Sequence, residues 1–248
     1  QGKGVTTWEG LIKSVRAKVK GTKVKIRLGA SSGEWKAMVA DEAARTTFAK
    51  NIKTVLEKNK LDGIDLDFEW AENEKEYKDY SLAILKMREV LGDKYLFSVS
   101  LHPVCYKISK EAIEAVDFIS LQCYGPSPVR FPIEKYCSDI QMVLKYGIPK
   151  EKLVAGVPFY GVTKDNSKKT EAYFSFVQNG LITSPAENEV NYKGEVYVFD
   201  GQDNIRIKTR YAKEQGLKGM MSWDLATDLP LDNSQSLLKA MIEELNKE

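Results

Sequence analysis

Six short apolar runs, five of them followed by a stretch with apolar residues three and four apart, set the terms for how this chain can fold. The runs are 23–28, 63–68, 95–101, 118–123, 153–157 and 219–223. The amphipathic stretches are 42–59, 74–91, 133–146 and 204–215, with a last one from about 234 to the end and one at about 7–20 ahead of the first run. Within 42–59 the pattern is Phe48, Ile52, Val55 and Leu56, one face of a helix. Strand alternating with helix is the signature of a parallel sheet wrapped by helices. Residues 160–202 break that rhythm. They predict a short helix at 172–178 and a hairpin, 190–192 with 195–199, turning at Lys193-Gly194. We read them as a small α+β insertion able to wall one side of a cleft. No internal repeat, low-complexity run or linker interrupts the 248 residues, so a single domain over 1–248 is expected.

Such a pattern suits an open doubly wound sheet or a closed barrel. The open sheet binds nucleotides through a glycine-rich first turn. Gly29-Ala30-Ser31-Ser32-Gly33 lacks the spacing of that motif, and no other strand is followed by one. A barrel gathers its functional groups at the C-terminal ends of strands. Glu69, Tyr124 and Trp223 each stand at such an end. The expected fold is therefore an α/β barrel of the TIM type.

Charge narrows the partners. The 37 basic and 35 acidic residues are interspersed and give a net charge of +2, which predicts neither a nucleic-acid nor a membrane partner. No apolar run is long enough to span a bilayer, and no signal peptide opens the chain. His102 is the only histidine, so a zinc site or a histidine-based triad would rest on it alone; a satisfied structural role is expected instead. Cys105, Cys123 and Cys137 are odd in number and lack metal-ligand spacing. Cys123 is expected as a buried free thiol, and a Cys105–Cys137 bridge is left open. Neither a metal nor a cofactor is called for.

The chemistry concentrates in Asp62-Gly63-Ile64-Asp65-Leu66-Asp67-Phe68-Glu69-Trp70. A strand sends successive side chains to opposite faces, so Asp65, Asp67 and Glu69 point one way and Ile64, Leu66 and Phe68 the other. Same-face neighbours lie roughly 6–7 Å apart, which crowds three negative charges. Crowding of this kind raises the proton affinity of at least one member and can equip it as a general acid. The competing reading is a solvated strand face. Against it, aspartate is depleted in strands, and every position of this face is acidic.

With these residues in place the chain resembles glycoside hydrolase family 18, the chitinases and related endo-β-N-acetylglucosaminidases. Asp62 to Glu69 matches the family's Asp-Gly-x-Asp-x-Asp-x-Glu at every fixed position. Gly156-Val157-Pro158-Phe159-Tyr160-Gly161 and Gly219-Met220-Met221-Ser222-Trp223-Asp224 are further matches, and Gln122-Cys123-Tyr124 is a partial one. The resemblance implies that Glu69 protonates the glycosidic oxygen while the substrate's own acetamido carbonyl attacks the sugar. It implies that Asp67 orients the acetamido N–H and that Asp65 shares its proton. Tyr124 would bind the acetamido carbonyl, and Trp223 would be the apolar floor under the cleaved sugar. Gln122 and Tyr160 would line the site, packing being the alternative for Tyr160.

By the same resemblance, the substrate is a polymer or oligosaccharide of β-1,4-linked N-acetylglucosamine, cut with retention and from within, by a monomer that is secreted, periplasmic or on the cell surface. The alternative is a chitinase-like protein that binds sugar without turnover. Three departures stand out. Gly125 follows Tyr124 where the family usually has Asp or Asn. Val162 stands where arginine often follows Tyr-Gly. Arg27 lies where the family has a serine, and a buried arginine needs a carboxylate, for which Asp65 or Asp62 is the natural partner. The run 23–28 matches the family's third strand, so a barrel short of its first two strands is expected within these residues.

Overall fold

The computed structural model describes residues 8–31, 34–125, 131–165 and 169–247. Contacts divide the chain into two units. One runs to Ser100 and includes Lys107–Asp117; the other comprises Leu101–Tyr106 and Phe118 onward.

The first unit contains α1 (Trp8–Lys18), β1 (Arg27–Ser31), α2 (Trp35–Ala40), α3 (Glu42–Asn59), β2 (Gly63–Asp67), α4 (Glu74–Leu91), β3 (Leu96–Leu101) and α5 (Lys110–Ala115). β2 pairs in parallel with β1 on one side and β3 on the other, with Asp65 opposite Gly29 and Ser98. Period-two alternation on β2 is realised as expected. Ile64, Leu66 and Phe68 are essentially fully buried, whereas Asp65 and Asp67 are half-buried. Burial of each such apolar side chain stabilises by about 1.5–3 kcal/mol. Phe68 stacks on Trp35 with ring centres 5.3 Å apart, and Tyr80 and Phe48 close around it at 5.3 and 6.1 Å. Trp35 is thus core.

The helices begin where short polar residues can take up free N–H groups. Asp41 accepts from Ala44, Asn73 from Glu76 and Ser109 from Ala112. Arg88 of α4 bonds the Ala115 carbonyl at 2.6 Å and Asp117 at 2.9 Å, and Asp117 in turn accepts the Phe97 N–H at 2.7 Å. This clamp ties α4 and the end of α5 to β3.

The second unit contains β4 (Phe118–Leu121), α6 (Ile133–Tyr146), β5 (Leu153–Pro158), β6 (Tyr160–Thr163), β7 (Thr170–Ala172), α7 (Tyr173–Gln178), β8 (Glu189–Tyr192), β9 (Glu195–Val198), α8 (Gln202–Glu214), β10 (Gly219–Trp223) and α9 (Leu237–Leu245). β5 pairs in parallel with β4 and β10, and all six of its residues are buried. The insertion is an antiparallel sheet in the order β7-β6-β9-β8. Its core is aromatic: Phe176 lies 5.2 Å from Phe199 and 5.5 Å from Tyr197, and Tyr173 lies 5.7 Å from Phe199. Lys193 and Gly194 turn the β8–β9 hairpin with φ of +53° and +81°, as the sequence predicts. Asp228 bonds the N–H groups of Leu237 and Leu238 at 3.0 and 2.8 Å and the Ser236 hydroxyl at 2.9 Å, anchoring the start of α9.

Expectation and structure differ at several places. The first strand begins at Arg27 rather than residue 23, because Asp62 takes the Ile26 N–H at 2.8 Å through its carboxylate and Val24 is exposed. The last two helices span 202–214 and 237–245 instead of 204–215 and 234 onward. The helix expected over 7–20 is α1; Thr7 lies outside the described residues. α2 and α5, six residues each, are additional, as are β6 and β7. Cys105, Cys123 and Cys137 are all free thiols, which removes the Cys105–Cys137 pairing. Cys123 is buried, and burial pushes its thiol up to about 12. Among the described residues no helix is long and apolar enough to cross a membrane.

Gly63 opens β2 where β3 passes closely: a Cβ there would collide with the Leu96 carbonyl. Gly63→Ala is expected to cost about 3 kcal/mol in urea unfolding. A cost within experimental scatter of zero would show that β2 and β3 can separate at that point.

Candidate active site

The carboxylates of β2 are held by the two flanking strands. Arg27 of β1 and Ser98 and Ser100 of β3 reach the same face as Asp65. Ser98 donates to one Asp65 oxygen, Ser100 donates to the other at 2.7 Å, and Arg27 donates to Ser98. The Arg27 guanidinium lies 3.8 Å from Asp65, both side chains being mostly shielded from water. Burial pulls Arg27 down from its ordinary value, while Asp65 and Asp117 pull it back up. The desolvated cation therefore has the compensating carboxylate it requires. Of the two partners expected for Arg27, Asp65 is the one found; Asp62 is engaged with the Ile26 N–H and lies 3.8 Å from Lys25.

Asp67 is in register with Ser31, and Gly29 leaves open space where a side chain would begin. Glu69 stands beyond the last residue of β2 and is exposed. The acid triplet that the spacing crowds together is graded in its surroundings: Asp65 is hydrogen-bonded and ion-paired, Asp67 half-buried, and Glu69 open to solvent. An acid that must meet an incoming leaving group has to be reachable, and Glu69 is. Its backbone is nonetheless fixed, since the Trp35 indole N–H donates to the Glu69 carbonyl at 3.1 Å. The peptide bonds Glu69–Trp70 and Trp223–Asp224, which follow β2 and end β10, are both cis.

The second unit brings a group of aromatic side chains together. Tyr124 follows β4 by three residues and is buried. Its hydroxyl contacts the Met221 sulfur at 3.9 Å, and Tyr160 meets it edge-on with ring centres 6.5 Å apart. Phe131 packs edge-on against Tyr160, also at 6.5 Å. Gly156 on β5 makes room for this arrangement: a Cβ there would come within 2.6 Å of the Leu121 carbonyl and 3.0 Å of the Tyr124 ring. Gln122 is buried, and its N–H donates to the Leu101 carbonyl at 2.8 Å. Trp223, at the end of β10 and opposite Pro158, is 56% exposed. Core packing is thereby ruled out for this tryptophan, which offers its ring to solvent. Asp224 caps the turn behind it by accepting the Ala226 N–H at 2.7 Å.

His102 is buried, with Nδ1 accepting the Val104 N–H at 3.4 Å. Nε2 lies 3.2 Å from where a Cβ of residue 125 would be, so the glycine at 125 lets His102 lie against the backbone beyond Tyr124. Ser98, Ser100 and Phe131 were not anticipated as site residues. The two serines alternate along β3 as the acids do along β2, a signal available in the sequence; Phe131 has none.

The model of the family described as Glycosyl hydrolases family 18 matches residues 6–228. A probable chitinase 2 of Drosophila melanogaster is 26% identical over 240 residues, covering 86% of this chain and 47% of that protein. The chain thus spans about half the length of that curated relative, and less than two thirds of the next two. Among solved structures, a chitinase from Bacteroides thetaiotaomicron is 22% identical with a TM-score of 0.84, covering 96% of this chain and 81% of that one. A class V chitinase from Nicotiana tobaccum, solved in complex with NAG4, is 16% identical with a TM-score of 0.79, covering 96% and 85%. These likenesses show the fold, a TIM-type barrel of which the described residues carry six parallel strands and an antiparallel insertion before the last, as the sequence predicts. The match over nine tenths of its length establishes that this chain belongs to glycosyl hydrolase family 18.

Proposed function

We propose that the chain hydrolyses β-1,4-linked N-acetylglucosamine, in chitin or in the chitobiose core of glycans, with retention, from within the polymer and by substrate-assisted catalysis. The observation that carries this reading is the graded acid face of β2: an exposed carboxyl at Glu69, a half-buried one at Asp67, and a third at Asp65 pinned by Arg27, Ser98 and Ser100. Glu69 is the reachable proton donor for the glycosidic oxygen. Asp67 accepts the acetamido N–H and steadies the positive charge that grows as the acetamido oxygen closes on the anomeric carbon. No protein carboxylate bonds to the sugar in this scheme. Asp65 holds Asp67's proton balance from behind and is itself fixed by two hydroxyls and a cation.

On the aromatic side, Tyr124 presents its hydroxyl to the acetamido carbonyl, and Trp223 offers an exposed ring face of the kind on which the apolar face of a sugar stacks. Tyr160 and Gln122 line the site. The NAG4 bound by the tobacco chitinase supports an N-acetylglucosamine oligosaccharide as the ligand class. Secretion, or display at a cell surface or in a periplasm, fits a polymer too large to enter a cell, and we read residues 1–248 as belonging to one catalytic domain that acts as a monomer. Gly125 is the residue that favours the alternative of binding without turnover, because it brings no side chain next to Tyr124.

Release of reducing sugar from chitin and from N-linked glycoprotein tests the reading. Product from either supports it, whereas binding of chitooligosaccharide with no product, equal in wild type and Glu69→Gln, selects the alternative. Glu69→Gln should lower kcat by ~10²–10⁴-fold while calorimetric binding of the oligosaccharide stays near the wild-type value. A loss of less than tenfold would move the acid elsewhere. Arg27→Met removes the cation beside Asp65. A part-buried carboxylate left without its compensating cation destabilises the strand that carries it, so the urea midpoint of the variant should fall below wild type. An unmoved midpoint would show that Asp65 does not depend on Arg27.

A further inference from the structure

In the second unit a lysine and an aspartate are sealed together beneath the aromatic group. Lys208 of α8 and Asp200, two residues before that helix, are both 1% exposed. The Lys208 ammonium donates to both Asp200 oxygens, at 2.8 and 2.6 Å. Asn204 adds a contact to Asp200 at 3.3 Å. An ammonium has three N–H groups, and the remaining one has two rings within reach: the centres of Phe131 and Tyr136 lie 5.9 and 5.6 Å from Nζ. Burial pushes the Asp200 carboxyl up, and Lys208 draws it back down. Two charges removed from water regain little net stability from their attraction, and apolar residues of similar volume often serve as well. The pair's distinctive property is direction, because a cation held by two oxygens on one side fixes where the rings on its other side can lie.

We propose that the Asp200–Lys208 pair is a positioning device for the sugar site, setting Phe131 and, through Phe131, the ring of Tyr160. Tyr124 has its own supports in Met221 and the close approach of Gly156, whereas Tyr160 leans edge-on on Tyr124 and Phe131. Asp200 also marks the joint between the insertion and α8. Gly201 beside it donates to the Asn188 side chain at 2.8 Å, and Phe199 donates to the Asn188 carbonyl at 3.0 Å. The same pair therefore ties the antiparallel sheet, which carries Tyr160 at its β6 end, to the helix that carries Lys208. The proposal rests on the reading that this aromatic group binds sugar, and it assigns the pair a part in binding rather than in the chemical step.

The test uses the double variant Asp200→Asn with Lys208→Met, which removes both charges at similar volume, and Phe131→Leu, which leaves the pair in place and removes the relay. In both, the near-ultraviolet circular dichroism of the tyrosine band should change. KM for an N-acetylglucosamine tetramer should rise about fivefold or more, while kcat changes less than about threefold. The thermal midpoint of the double variant should stay within about 5 °C of wild type, and Lys208→Met alone, with Asp200 left uncompensated, should fall further. A wild-type KM or a wild-type near-ultraviolet spectrum in both variants overturns the proposal. If the wild-type chain neither cleaves nor binds the tetramer, the reading of function has failed, and the near-ultraviolet comparison still decides whether the pair sets the rings.

Discussion

The packing of Phe68, Leu66 and Ile64 against the helical layer is the constraint on which the acid face depends. Trp35 and Tyr80 close over Phe68, and once those three apolar side chains are buried the alternation of the strand leaves Asp65 and Asp67 no other direction, with Glu69 just past its end. A slip of one residue would bury three carboxylates and expose three apolar groups. The cost of that exchange is far larger than the few kcal/mol by which a domain of this size is stable. Trp35 contributes twice, since its indole N–H also holds the Glu69 carbonyl. The fold positions the chemistry through ordinary core packing on the opposite side of the same strand.

Electrostatics then differentiates three carboxylates that the sequence presents as equals. Asp65 is the interior member, and it receives two hydroxyl donors and a cation. Such partners hold it in place. Glu69, at the open end, keeps access to solvent and to an incoming sugar. The division of labour proposed for these residues follows from where each stands along a single strand: the inner member anchored, the outer member reachable, and Asp67 between them.

Much of this was legible in the sequence where a pattern repeats. α3, α4 and α6 span the predicted residues, because each carries several turns of apolar spacing and ends near a polar cap or a glycine. The period-two run over β2 exposed the acid face directly, and Arg27 could be assigned a carboxylate partner from the burial penalty alone. What escaped is short or non-local. α2 and α5 have six residues each, too few to show a period, and β6 and β7 are defined by pairing within the insertion rather than by their own composition. The contacts of Tyr160 with Phe131 and Tyr124 join residues tens of positions apart and leave no local trace. The Asp200–Lys208 pair reads in the sequence as two more charges on a helix and its approach. Only its burial sets it apart.

The central claim is that the sugar's own acetamido oxygen displaces the leaving group with Glu69 supplying the proton. The most direct measurement is the anomeric configuration of the first product released from an N-acetylglucosamine tetramer, followed by proton NMR before mutarotation equilibrates it. The account predicts the β-anomer in the earliest spectra. An initial α-anomer would mean that water attacks the sugar directly, and would contradict it.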